Sequence, residues 1–156
     1  MSVEVQNLLL NPEWAPGKSG GPEFYSGDGP ITYDNFKLNG FRTCSITMED
    51  GNTAEDGYDL LFDVSGKTFL MVGLTMRAIE ITEFVFLVEF FTGENISISE
   101  LRQNVTTKVQ SEWSNVYTFF EIPNNTVHGT FRWYFYNKVT ACTYCAPAAY
   151  ALEGNQ

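Results

Sequence analysis

Residues 130–136 read Thr-Phe-Arg-Trp-Tyr-Phe-Tyr, and their order decides the fold. In an extended chain successive side chains point to opposite faces. Phe131, Trp133 and Phe135 therefore share one face, and Arg132, Tyr134 and Tyr136 share the other. The first set is wholly apolar, while the second carries a guanidinium and two phenols. The stretch predicts a strand with one face in a core and the other at a surface.

Working outward, the same pattern recurs. Strand-like runs cover 41–48, 58–64, 68–79, 83–91 and 115–123, broken by turn residues such as Asn39-Gly40, Gly66 and Thr92-Gly93. In the second run Tyr58, Leu60, Phe62 and Val64 alternate against Asp59 and Asp63. Between 96 and 110 the alternation fades, and Glu100-Leu101-Arg102 reads as a short helical turn. There are no helical heptads and no repeats. Period-2 runs divided by turns predict an all-β sandwich or barrel.

Composition agrees. The chain has 156 residues, 44% hydrophobic and 15% aromatic, including 13 Phe, 8 Tyr and 3 Trp. That length fits a single domain spanning 1–156, and aromatic and β-branched residues favour pleated sheets. A net charge of −10 argues against nucleic acid and against an anionic membrane surface. The opening Met-Ser-Val-Glu lacks the basic start of a secretory signal. The apolar run 84–91 is too short to span a membrane and is interrupted by Glu89. Three cysteines, Cys44, Cys142 and Cys145, are an odd number and predict buried free thiols. Cys142 and Cys145 lie three apart, which on a strand turns them to opposite faces and spoils chelation.

Residues 11–35 contain nine Gly or Pro and predict one long loop. It also holds Trp14, Phe24 and Tyr25, so it reads as an ordered flap rather than a linker.

Four motifs now stand in order: Asn-Leu-Leu-Leu-Asn-Pro-Glu-Trp at 7–14, Ser-Gly-Lys-Thr-Phe-Leu-Met-Val-Gly-Leu at 65–74, Trp-Ser-Asn-Val-Tyr-Thr-Phe-Phe-Glu-Ile-Pro at 113–123, and Ala-Pro-Ala-Ala-Tyr-Ala-Leu-Glu-Gly-Asn at 146–155. Together they resemble the galactose-binding-like jelly-roll modules, which include many carbohydrate-binding modules. The ending is similar to that of domains in phage tail and minor structural proteins, though Ala151 stands where those carry Lys and the Pro falls earlier, at Pro147. The resemblance implies a jelly-roll β-sandwich in which the N- and C-terminal strands share a sheet. Residues 148–152 would be the closing strand and 153–155 an exit turn, in a complete small protein. Relatives that bind a structural calcium carry acidic residues where this chain has Ala15 and an Ala-rich stretch, so no metal is expected there.

Other chemistries find little support. Glu49, Asp50, Asn52, Glu55, Asp56 and Asp59 cluster, but Ala54 and Glu55 break the calcium-loop pattern, which leaves a solvated acidic loop. His128 is the only histidine and lies in a turn, with no Gly-x-Ser-x-Gly nearby. The sequons at Asn95, Asn104 and Asn124 matter only in a secreted eukaryotic protein. No cofactor and no catalytic residue is expected.

Binding is the remaining class. Trp14, Tyr25, Tyr33, Trp113, Tyr134 and Tyr136 are candidate platforms for sugar or partner, with Arg132 beside the last two. The Arg132, Tyr134, Tyr136 face suits a subunit interface first and a sugar second. The resemblance implies a non-enzymatic virion component of a bacteriophage tail fibre, baseplate or capsid surface. Such a protein is made in host cytoplasm, docks other virion proteins as a trimer or higher oligomer, and binds host glycans. The alternative is a secreted, free-standing carbohydrate-binding module or a module of a glycoside hydrolase.

Overall fold

The protein is described by a computed structural model over residues 6–153. Ten strands are present among them: β1 Tyr25–Asp28, β2 Ile31–Leu38, β3 Phe41–Met48, β4 Thr53–Tyr58, β5 Phe62–Asp63, β6 Phe69–Arg77, β7 Glu80–Phe91, β8 Ser97–Asn104, β9 Ser114–Glu121 and β10 His128–Leu152. All pairings are antiparallel. The architecture is the expected all-β jelly roll.

One strand belongs to both layers. The first half of β10 lies between β4 and β7, giving the order β1-β4-β10-β7-β8; its second half lies between β3 and β6, giving β2-β3-β10-β6-β9. Short β5 adds to β10 at His128 and Gly129. The passage between layers needs irregular backbone. Register shifts fall between Tyr136 and Val139, between Val139 and Cys142, and between Cys145 and Ala148. Asn137, Ala141 and Ala146 take positive φ of 68°, 49° and 54°. Each bulge bends the strand and raises its twist, so residues at these points turn a 25-residue strand around the corner of the sandwich.

The core is what the opening alternation predicts. Phe131, Trp133 and Phe135 are completely buried, as are Phe84, Phe86 and Phe90 of β7 and Leu70, Val72, Leu74 and Met76 of β6. Phe84 stacks on Phe135 with ring centroids 4.6 Å apart, and Trp133 meets Tyr144 of the other layer edge-on at 5.8 Å. Cys44, Cys142 and Cys145 are buried free thiols. Burial pushes Cys142 up to about 12 and Cys145 up to about 11, so they stay protonated and inert at neutral pH.

The structure differs from the sequence reading in five places. The predicted loop 11–35 is loop only as far as Phe24, because Tyr25–Asp28 pairs with β4 and Ile31–Leu38 pairs with β3. The acidic stretch 49–59 is not a solvated loop: residues 53–58 form β4 and Asp56 is fully buried. The predicted strand 58–64 is broken at Leu60 and Leu61, which are exposed in the turn after β4. The helical turn expected at 100–102 is strand β8, and a 3₁₀ turn follows at Thr106–Lys108. The opening segment 7–14 runs beside the closing strand, with Leu8 N donating to Ala149 O at 2.8 Å and Asn7 bonded to Pro147 and Ala149. Positive φ at Asn11 and Trp14 bends it away before it becomes a strand. Of the exit turn expected at 153–155, only Glu153 lies within the described residues.

Candidate functional site

The outer face of the β1-β4-β10-β7-β8 layer is built by the second set of alternating residues. Arg132, Tyr134 and Tyr136 project from β10, each half-buried. The register sets Gly57, Glu55 and Thr53 of β4 beside them on one side, and Leu87, Val85 and Glu83 of β7 on the other. Across β7 stands Arg102 of β8, opposite Leu87.

The two tyrosines form a pair. Their rings are 6.2 Å apart and within 10° of parallel, as side chains two apart on a strand can be. Arg102 sits over Tyr134, its guanidinium 5.6 Å from the ring centroid, and donates to the Tyr136 hydroxyl at 3.2 Å and to Glu100 at 3.1 Å. Val85 and Leu87, on the same outward face of β7, are buried beside Tyr134 and Arg132. Arg132 lies across β4, donating to Ser26 O at 2.9 Å, with Asp59 at 3.5 Å and Glu55 at 4.0 Å. It can lie there because residue 57 is glycine: a Cβ at that position would come within 2.6 Å of Arg132 Cγ.

Beside the ring pair an open groove of about 310 Å³ is lined by Asp28, Thr53, Ala54, Glu55, Tyr134 and Tyr136. The small residues of β4 make its floor. The tyrosines of β10 border it on one side of β4, and Asp28 of β1 on the other. Burial and the neighbouring Glu55 raise the Tyr134 phenol above its usual value, so it acts as a neutral donor and acceptor at physiological pH.

The other sequence candidates lie elsewhere. Trp14 is fully buried and Tyr25 nearly so, which rules both out as exposed platforms. Trp14 packs edge-on against Tyr25, Tyr33 and Tyr144 at 5.8, 5.4 and 5.7 Å. Tyr33 is half-buried and donates to Asp56 at 2.6 Å, while Tyr144 donates to the same carboxylate at 2.8 Å. Burial pushes Asp56 up to about 6, against the hydroxyl bonds that favour its anion. These residues dock the flap: Arg42 fastens it further through the carbonyls of Asp34, Tyr33, Gly20 and Trp14. Trp113 lies at the margin of the other layer beneath the Arg77 guanidinium, 5.7 Å away. Of the seven candidates, Arg132, Tyr134 and Tyr136 share one outward face, whereas Trp14, Tyr25 and Tyr33 cluster where the flap meets the core.

Sequence reasoning missed Arg102, Glu100, Asp28 and Gly57. The strand period through 97–104 would have placed Arg102 and Glu100 on one face, had the stretch not been read as helical. The recorded side-chain partner of His128 is Asn95, at 3.2 Å. Among the described residues no group of three or more His, Cys, Asp or Glu is placed to hold a metal ion.

No protein-family model matches the chain, and no curated protein sequence matches it significantly. Solved structures do. The enzymatically active domain of tailspike protein 4 from bacteriophage CBA120 superposes with a TM-score of 0.64 at 9% identity, over 94% of this chain. This chain spans only 21% of that one. TmCBM61, solved with beta-1,4-galactotriose, gives 0.58 at 11% identity, covering 94% of this chain and 99% of that one. The family 11 carbohydrate-binding module of Clostridium thermocellum, solved with a mixed-linked tetrasaccharide, gives 0.57 at 12% identity, covering 98% and 100%. At these identities the likeness establishes architecture: the fold is the jelly roll shared with carbohydrate-binding modules.

Proposed function

We propose that the chain is a non-catalytic glycan-binding module of a bacteriophage particle, and that its sugar sits on the Tyr134–Tyr136 face. The observation that carries this reading is the clamped tyrosine pair flanking an open groove with carboxylate and hydroxyl groups along β1 and β4. An apolar sugar face packs against an aromatic ring, while a few fixed polar groups select hydroxyls. Both arginines are already held by protein acceptors, so they shape the site instead of awaiting a partner. The likeness to sugar-complexed modules over their full length supports the same reading, and fits a secreted free-standing module equally. The virion setting is supported by the tailspike likeness and by the phage-like chain ending.

A second reading, subunit docking, is favoured by the opposite face. There Phe69, Met71, Phe119, Tyr150 and Leu152 lie in adjoining rows, with Phe119 54% and Phe69 38% exposed. Tyr117 lies across Gly73, where a Cβ would overlap its ring. Such a face suits neighbouring virion proteins or further copies of the chain, as a trimer or higher oligomer.

The test is a panel of bacterial surface and plant oligosaccharides titrated against the native chain and against Tyr134→Ala and Tyr136→Ala. At least one saccharide should bind, and each variant should weaken it about tenfold or more, as loss of 1–3 kcal/mol of ring contact would, with the far-UV spectrum unchanged. Equal binding by all three proteins would refute the assignment of the face.

A further inference from the structure

The groove carries a charge pattern that selects among sugars. We infer that it takes a saccharide bearing a free amine, a glucosamine-type unit; this rests on the glycan reading above.

Pairing of β1 with β4 sets Asp28 directly opposite Glu55. Like charges in that position repel, and the sequence bears the cost on an edge strand where either residue could be neutral. Arg132 relieves it only in part. It stands 4.0 Å from Glu55 but closer to Asp59, at 3.5 Å, and to the Ser26 carbonyl, at 2.9 Å. Asp28 has no ion-pair partner among the described residues; its carboxylate accepts only from the neighbouring Gly29 amide, at 2.9 Å. Arg102 stands on the far side of the tyrosine pair and is paired with Glu100.

The groove is thus acidic along β1 and β4 and bordered by the two tyrosines of β10. An ammonium group there answers the repulsion through charge-assisted bonds to Asp28 and Glu55, and meets the Tyr134 and Tyr136 side chains that line the same groove. A neutral hydroxyl can donate to one carboxylate but leaves their repulsion in place. A uronic acid, sialic acid or phosphorylated sugar adds a further negative charge beside a chain of net charge −10.

The experiment is calorimetric titration of the full chain with a β-1,4-glucosamine hexamer, its fully N-acetylated counterpart and cellohexaose. It is run at about pH 5.5, where the amines are charged. The glucosamine hexamer should bind about tenfold more tightly than either neutral oligomer, the effect expected of two exposed ion pairs. The preference should shrink in high salt. It should vanish in the Asp28→Asn, Glu55→Gln double variant, in which every wall keeps its shape. Equal or tighter binding of a neutral hexamer overturns the amine inference and leaves the glycan site standing. A preference that survives in the double variant also overturns it, since the selectivity then arises elsewhere. Binding of no saccharide at all overturns both readings.

Discussion

Replacing Asp56 by Asn should flatten part of the pH profile of stability. Asp56 is fully buried on β4 and accepts from Tyr33, Tyr144 and the Gly57 amide. Those bonds favour the anion, but burial outweighs them and raises the carboxyl from 3.8 to about 6. The folded chain therefore holds this proton more tightly than the unfolded chain does. The stabilisation is fully present below the unfolded value and is lost as pH rises through the folded one. With the folded carboxyl titrating near 6 and the unfolded one near 3.8, going from pH 7 to pH 4.5 should add about 2 kcal/mol of stability. The other acidic residues titrate in the same window, so the informative quantity is a difference between proteins. Urea unfolding at both pH values should give a native-minus-variant change of about 2 kcal/mol, with the native chain gaining more in acid. Parallel profiles would refute a closed, low-dielectric setting for Asp56. A native chain that loses more stability in acid than the variant would show the hydroxyl bonds to be the stronger influence.

Truncating Trp133 to Ala should cost about 3–5 kcal/mol by denaturant unfolding, because it leaves a large cavity between Phe131 and Tyr144. Arg42→Ala should loosen the flap at 11–24, read as faster proteolysis there and, because the flap carries the buried Trp14, as a lower melting temperature of the whole sandwich. If copies associate through the apolar face, Phe119→Lys should lower the light-scattering mass to that of a monomer; an unchanged oligomer would move the contact elsewhere.

The layer structure was legible because its signal is local. Period 2 in 130–136 placed three buried and three surface-facing side chains correctly, since the pleat alone dictates which face each residue takes. Where the period was blurred the reading failed. Residues 97–104 carry a single apolar side chain on each face, Ile98 on one and Leu101 on the other, because β8 is an edge strand, so the alternation was too weak to read and a helical turn was expected. In 25–35 the glycines and Pro30 suggested a loop, yet Gly27 lies within β1 and Gly29-Pro30 forms the turn to β2, strands whose pairing comes from β4 and β3. Asp56 looked like one more surface acid among several. Its burial depends on hydroxyls delivered from Tyr33 and Tyr144, one 23 and the other 88 residues away, and no local window contains that information. The site divided in the same way. Tyr134, Tyr136 and Arg132 share one strand and were found together, whereas Arg102, Asp28 and Gly57 reach them only through strand pairing.

The central claim is that one outer face of the sandwich, and not the other, holds a sugar. Amide chemical-shift mapping during titration with a binding oligosaccharide tests it directly. The perturbed amides should cluster at 28–29, 53–57, 100–104 and 132–136, while 69–75 and 115–121 on the opposite layer stay unchanged. Shifts concentrated on that opposite layer, or confined to the flap at 11–24, would contradict the account.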